Sequence, residues 1–159
     1  MGKNVVAAEV YAQFRRAFSM LRGSIEAFGE EEWRGGDIDF LIPCRQAYHA
    51  IESVEYYLSE YPGEFKWGHR FDGDWEGMPA GELPTQEEVL DYLDEMQATV
   101  DAWLKGLGDE GLLAPQKGFP WTGKTPLGRA LYVLRHGQHH LAEMNTELRR
   151  RGIDRPDWQ

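Results

Sequence analysis

The chain has 159 residues, 42% of them hydrophobic and 28% charged, with a formal net charge of −10 at pH 7. This composition is typical of a soluble globular protein, and the length suffices for a substantial core, so we expect a single domain over residues 1–159. The acidic balance argues against nucleic acid as a partner, because nucleic-acid binding depends on Lys and Arg to neutralise phosphates.

Neither a membrane segment nor a disulfide is expected. The apolar runs fall well short of the roughly 20 residues that cross a bilayer. The segment from Met1 to Val5 lacks the apolar centre of a signal peptide, so we expect a cytoplasmic protein with no membrane partner. Cys44 is the only cysteine, which excludes an internal disulfide and a cysteine-based zinc cluster, and we interpret it as a small buried side chain.

The spacing of apolar residues predicts two long helices in the first half of the chain. Helix one runs from about Val5 to Phe28, with apolar side chains every three or four residues. Residues 30–42 follow as an irregular stretch. Helix two begins at Pro43, a favourable residue in a first helical turn, and ends before Pro62.

Two long loops flank the third predicted helix. Residues 62–84 contain Gly, Pro and several aromatic residues, and we expect an ordered loop because exposed aromatic rings are costly in water. Helix three starts at Thr85, which forms a capping-box pattern with Glu88, and a second loop is expected over residues 106–124. A Gly-x-Gly-x-x-Gly pattern at the start of that loop follows a helix and precedes none, which argues against a dinucleotide site.

The fourth helix begins with the pair Thr125-Pro126, an N-cap followed by proline at the first helical position. It extends to about Arg151, and Gly152 ends it. Four long helices without a strand pattern predict an all-α protein, an up-down four-helix bundle with two long ordered loops.

Three of the five histidines lie in this fourth helix. His136 and His140 are one turn apart, so both imidazoles project from the same face and can bind one metal ion. A helical wheel places both at the margin of the apolar stripe and His139 on the polar side. A third ligand must come from elsewhere, and His49 in helix two is the main candidate. Its own wheel position lies away from the apolar stripe, so periodicity neither places His49 at the site nor excludes it.

The last helix resembles that of the DinB-like superfamily of metal-binding four-helix bundles. Three features carry the resemblance: the helix-starting Thr125-Pro126, the pair His136 and His140 within Arg-His-Gly-Gln-His-His, and the closing Leu148-Arg149-Arg150-Arg151-Gly152. Helix number and order also agree, so the resemblance extends over nearly the whole chain. It implies that His49, within Gln46-Ala47-Tyr48-His49-Ala50-Ile51, is the third metal ligand.

The resemblance also implies a class of activity. Three imidazoles suit Zn, Ni or Fe, and coordination positions left open are typical of catalytic centres. Characterised relatives include transferases and isomerases that use a low-molecular-weight thiol such as bacillithiol or mycothiol. We therefore expect a metal-dependent enzyme that acts on a small substrate, either as a thiol S-transferase or as a hydrolase.

Other residues near the three histidines have weaker support. Glu143 lies one turn from His139 and is a candidate for orienting His140 or for accepting a proton, although a solvated carboxylate is the commoner situation on a helix and DinB-like proteins often have Gln here. Tyr56 and Glu52 on helix two are possible pocket residues.

A different class of function stays open at this point. The chain could be a non-catalytic dimeric bundle whose metal site is structural or vestigial. We expect a homodimer, which is compatible with both hypotheses and does not distinguish them. The response of the bound metal to added thiols distinguishes them, because a structural site has no open coordination position.

Overall fold

The computed structural model describes residues 4–159. The expectation about a signal peptide was made on Met1 to Val5, of which the first three residues lie outside this range. Residues 4–159 form five α-helices: α1 (Val5–Ala27), α2 (Glu30–Trp33), α3 (Pro43–Leu58), α4 (Gln86–Leu113) and α5 (Pro126–Arg150). Short 3-10 turns occupy Asp39–Leu41, Pro62–Glu64, Ala80–Glu82 and Pro120–Thr122. The all-α prediction is confirmed. None of the described helices combines the length and apolarity that crossing a membrane requires.

The helix starts agree with the predicted capping residues. The Thr85 hydroxyl accepts a hydrogen bond from the backbone N–H of Glu88 at 3.2 Å, and the Glu88 carboxylate accepts one from the Thr85 N–H at 2.7 Å. At α5, the Thr125 hydroxyl accepts a hydrogen bond from the Gly128 N–H at 3.2 Å. Each cap satisfies backbone donors that have no partner within the helix, which stabilises a helix by about 1 kcal/mol.

The predicted end of the third long helix was wrong, because α4 continues through residues 106–113. The chain bends at Gly108, which has a φ of 58°, and then resumes its helical path. The Asn4 side chain accepts a hydrogen bond from the Asp109 N–H at 3.1 Å, and the Asp109 carboxylate accepts one from the Ala7 N–H at 2.9 Å. Both contacts involve the start of α1, which is remote in sequence. They stabilise the helix beyond Gly108, although the glycines at positions 106, 108 and 111 predict a loop there. The second long loop is therefore residues 114–125.

Contacts between helices give the direction of each. The start of α1 meets the end of α4 through Ala7 and Asp109, and the Gln86 side chain at the start of α4 donates to the carbonyl of Ile25 near the end of α1. These two helices are therefore antiparallel. In contrast, α1 and α5 run in the same direction, because Ser24 bonds to Asn145 while residues nearer the start of α1 pack beside Val133 and Leu134.

The remaining pairs show that the four long helices do not alternate strictly in direction. Helices α3 and α5 are antiparallel, because Gln46 contacts His140 and Tyr57 contacts Tyr132. Helices α3 and α4 are parallel, because Cys44 lies against Pro84 and Glu55 against Tyr92. The segment between α3 and α4 must return along the bundle, which explains its length.

This returning segment is ordered, as predicted, and it covers one side of α3. The guanidinium of Arg45, which is only 4% exposed, donates hydrogen bonds to the carbonyls of Trp75, Glu76 and Met78 at 2.6, 3.2 and 2.9 Å. A second nitrogen of the same group forms an ion pair with Asp39 at 3.0 Å. Arg45 thus supplies hydrogen-bond donors to backbone carbonyls of a stretch that forms no α-helix or strand.

Candidate metal centre

The packing of α3 against α5 brings His49, His136 and His140 together. The Nε2 atoms of His136 and His140 are 3.2 Å apart. The ring centroid of His49 lies 5.1 Å from that of His136 and 4.7 Å from that of His140. One ring nitrogen from each of the three lies within 4.8 Å of the others. Two nitrogens bound tetrahedrally to one zinc ion are about 3.4 Å apart, so the geometry of the α5 pair fits a shared metal.

The hydrogen bonds of His140 fix which of its nitrogens is free. Its Nδ1 lies 2.7 Å from the Gln46 side-chain oxygen and 3.0 Å from a carboxylate oxygen of Glu143. Both partners accept hydrogen bonds, so Nδ1 carries the proton and Nε2 presents its lone pair towards His136. The amide nitrogen of Gln46 donates to the Phe40 carbonyl, which settles the orientation of that amide. Such a partner on the far nitrogen is the usual way proteins orient a metal-binding histidine.

His49 supplies a second sign that the cluster suits a metal. Its Nδ1 is buried and has no hydrogen-bond partner among the described residues. Burial and the adjacent histidines lower the pKa of His49 to about 3, and burial lowers the pKa of His136 and of His140 to about 4. All three rings are therefore neutral at neutral pH, the protonation state in which imidazole binds metals.

The covering segment explains why the helical wheel was uninformative about His49. The ring of His49 lies 4.2 Å from that of Trp75 and 6.4 Å from that of Trp67, both of which belong to the returning segment. A wheel describes burial against the other long helices only, so it cannot register burial beneath a loop. Gln46, one turn before His49, was missed by sequence reasoning. The available signal for Gln46 was an amide three residues from a candidate ligand, which is too common to be specific.

Glu143 and His139 lie on the outer side of His140. His139 is 65% exposed, and its Nε2 is 3.5 Å from the second carboxylate oxygen of Glu143. Because Glu143 contacts the Nδ1 side of His140, the geometry favours the orienting role over proton transfer at the Nε2 side. His139, His140 and Glu143 also form a more exposed group of possible ligands.

Comparison with known proteins agrees with this architecture. The family model of the DinB superfamily matches residues 13–144. The chain belongs to the DinB superfamily. The matched range contains His49, His136, His140 and Glu143. A search of curated proteins found no match.

Beside the histidines, this DinB-superfamily protein has a wall of aromatic side chains. Tyr56 lies 4.8 Å from Trp67 and 5.3 Å from Phe119, measured between ring centroids. Phe119 in turn lies 5.3 Å from Tyr57, whose hydroxyl is 3.4 Å from that of Tyr132. The wall therefore joins α3, the returning segment, the 114–125 loop and α5.

Glu52 is a buried carboxylate one turn beyond His49. One of its oxygens accepts a hydrogen bond from the Gly68 N–H at 2.6 Å, while the other is buried without a partner. Burial raises the pKa of Glu52 to about 7. The carboxyl group can therefore hold a proton near neutral pH. Its one hydrogen bond goes to the returning segment, so we assign Glu52 a role in anchoring that segment.

Cys44 and His69 lie outside the cluster. Cys44 is fully buried, and burial raises the pKa of its thiol to about 12, so its interpretation as a small buried residue is confirmed. His69 is exposed, as expected, and its Nε2 lies 3.2 Å from the Glu55 carboxylate.

Proposed function

We propose that this DinB-superfamily protein is a metal-dependent enzyme in which His49, His136 and His140 hold one divalent ion of Zn, Ni or Fe. The observation that carries the proposal is the fixed tautomer of His140, whose free nitrogen lies 3.2 Å from that of His136. The buried, unpartnered nitrogen of His49 and the neutrality of all three rings support it.

The surrounding residues would hold the ligands in place and limit access of water. When bound with open positions, the ion acidifies a thiol or a water that coordinates it. Gln46 and Glu143 keep the proton of His140 on Nδ1. Trp75 covers the ring of His49, and Arg45 holds the backbone that carries Trp75.

The reaction that we propose is transfer of a low-molecular-weight thiol, such as bacillithiol or mycothiol, to a small electrophile. Relatives in the superfamily motivate the thiol, and the aromatic wall offers an apolar surface for the body of the substrate. Hydrolysis of a small substrate is the second candidate, because three neutral imidazoles with an open position are also the donor set of zinc centres that activate water.

The test replaces the native metal with Co²⁺ and records the absorption spectrum while a thiol is added. Under the proposal, thiolate binding at an open position shifts the visible bands and adds a sulfur-to-cobalt charge-transfer band. His139→Ala is the matched control, since it removes an adjacent exposed imidazole and should leave the response intact. A spectrum that does not respond to thiols would instead favour the non-catalytic bundle with a structural metal. The expected homodimer is tested separately by analytical ultracentrifugation.

A further inference from the structure

A second polar site lies at the other end of the aromatic wall, around Arg129. The guanidinium lies over the rings of Trp103 and Phe119, 5.1 Å from each centroid. Its Nε atom is buried and has no hydrogen-bond partner among residues 4–159. Burial lowers the pKa of Arg129, and no neighbouring carboxylate offsets this effect.

Two other arginines that are shielded from water have anionic partners. Arg45 pairs with Asp39 at 3.0 Å, and Arg151 pairs with Glu147 at 3.1 Å. Arg129 forms no such ion pair with the described residues. A partly desolvated cation without a partner is unfavourable, and an anionic ligand would relieve that cost.

The surroundings of Arg129 form a pocket rather than a flat surface. Helices α3, α4 and α5 and the 114–125 loop contribute to its lining, which includes Leu58, Trp103 and Gln116. The amide nitrogen of Gln116 donates to the Gly123 carbonyl at 3.1 Å, whereas its oxygen is buried without a partner. Among the described residues that line the pocket, Glu60 is the only acidic one, and it is exposed.

Helix geometry aligns the pocket with the metal centre. Arg129, Tyr132, His136 and His140 are spaced at i, i+3, i+7 and i+11, so they share one face of α5. His136 is seven positions beyond Arg129, which corresponds to about 10 Å along the helix axis. The aromatic wall described above extends between the two sites, from Trp67 beside His49 to Phe119 beside Arg129.

We propose that the Arg129 pocket binds the carboxylate of a small monoanionic ligand whose apolar body lies along the aromatic wall, towards the histidines. A planar guanidinium matches a carboxylate with two parallel hydrogen bonds. A single negative charge is favoured over two because Glu60 and the net charge of −10 repel anions. Assignment of this ligand as substrate of the metal centre rests on the proposed function, whereas carboxylate binding at Arg129 does not.

The first experiment uses metal-free protein and compares 3-phenylpropionate with its neutral analogue 3-phenylpropionamide, by tryptophan fluorescence and NMR. We expect the acid to bind at least about tenfold more tightly than the amide, and Arg129→Gln to remove that difference. The matched control is Arg149→Gln, which removes an exposed arginine from the last turn of α5 and should leave both affinities unchanged. Equal affinities of acid and amide, or a folded Arg129→Gln variant with wild-type affinity, would overturn the proposal.

Two further arms keep the test decisive. If Arg129→Gln does not fold, Arg129→Lys replaces it: this variant keeps the charge but loses the planar donor pair, so a weakening of about threefold or more is expected, and unchanged affinity would overturn the proposal. Phenyl phosphate should bind more weakly than 3-phenylpropionate. Tighter binding of the phosphate would overturn the assignment of the pocket to a monocarboxylate.

The second experiment separates this pocket from the proposed function. On Co²⁺-loaded protein, 6-mercaptohexanoate should bind about tenfold more tightly than 6-mercaptohexanol, and Arg129→Gln should abolish the difference. Equal affinities would show that the pocket does not serve the metal centre, which overturns that part of the proposal. If neither thiol perturbs the cobalt spectrum while 3-phenylpropionate still depends on Arg129, the proposed function fails and the carboxylate pocket stands.

Discussion

Helix α5 and the segment that returns from α3 to α4 both shape the histidine cluster, but they do so by different physical means. On α5, the distance between His136 and His140 follows from helical spacing alone. The returning segment has no such internal rule, and its position over His49 depends on hydrogen bonds to a buried side chain, Arg45. A ligand pair can thus be encoded locally, whereas the environment of the third ligand is encoded by contacts distant in sequence.

The largest expected effect comes from removing the support of the returning segment. Arg45→Ala leaves three backbone carbonyls without their donor, and we expect the free energy of unfolding to fall by about 3 kcal/mol. Urea denaturation of metal-free protein measures this change. Arg22→Ala is the control, because Arg22 pairs with Asp94 at the surface and its loss should cost less than about 1 kcal/mol. Equal losses in the two variants would contradict a special role for Arg45.

A smaller effect should follow when the orientation of His140 is disturbed. Gln46→Leu removes the shorter of the two acceptors at the Nδ1 of His140 and leaves only Glu143, so we expect metal affinity to fall by about 10- to 100-fold. Gln46→Glu retains an acceptor there and should retain more of the affinity. Competition titrations with a chromogenic chelator report both values. Wild-type affinity in Gln46→Leu would show that Gln46 does not orient the ligand.

Acidification tests the shared burial of the three histidines. Their pKa values in the folded state, about 3 for His49 and about 4 for His136 and His140, lie below the ordinary value of 6.5. Between the folded-state pKa values and 6.5, the unfolded chain therefore binds more protons than the folded chain. The folded state has the full stability that the neutral histidines contribute above pH 6.5 and loses this stability as the pH falls towards 4.

For metal-free protein, we expect unfolding to become easier by about 1 kcal/mol or more between pH 7 and pH 5. The double variant His136→Asn and His140→Asn should show a flatter profile. His69→Asn is the control, because His69 is exposed and lies outside the cluster. Parallel profiles for the wild type and the double variant would be inconsistent with buried, neutral imidazoles.

Much of the fold could be predicted because its signals are local. The capping residues Thr85 and Thr125 begin α4 and α5 as expected. Gly152, with a φ of 70°, follows α5 in the left-handed conformation that commonly ends helices. The pair on α5 was likewise visible, since turn geometry fixes which residues share a face.

What could not be predicted depends on contacts between distant parts of the chain. The continuation of α4 beyond Gly108 depends on Asn4 and Asp109, more than a hundred residues apart. Gly108 has a φ of 58° and a ψ of −172°, a backbone conformation that favours glycine, and an added Cβ would also lie 2.6 Å from the Asn4 side-chain oxygen. The parallel direction of α3 and α4, and the cover over His49, likewise follow from tertiary packing that periodicity does not describe.

The most direct test of the central claim is elemental analysis of the metal content of purified, tag-free protein. We expect about one divalent metal per chain in the wild type and in His69→Ala. The metal should be lost in His49→Ala and in the double variant His136→Ala, His140→Ala, with helicity retained. Wild-type stoichiometry in the cluster variants, or no metal in the wild type after reconstitution with Zn, Ni and Fe, would contradict it.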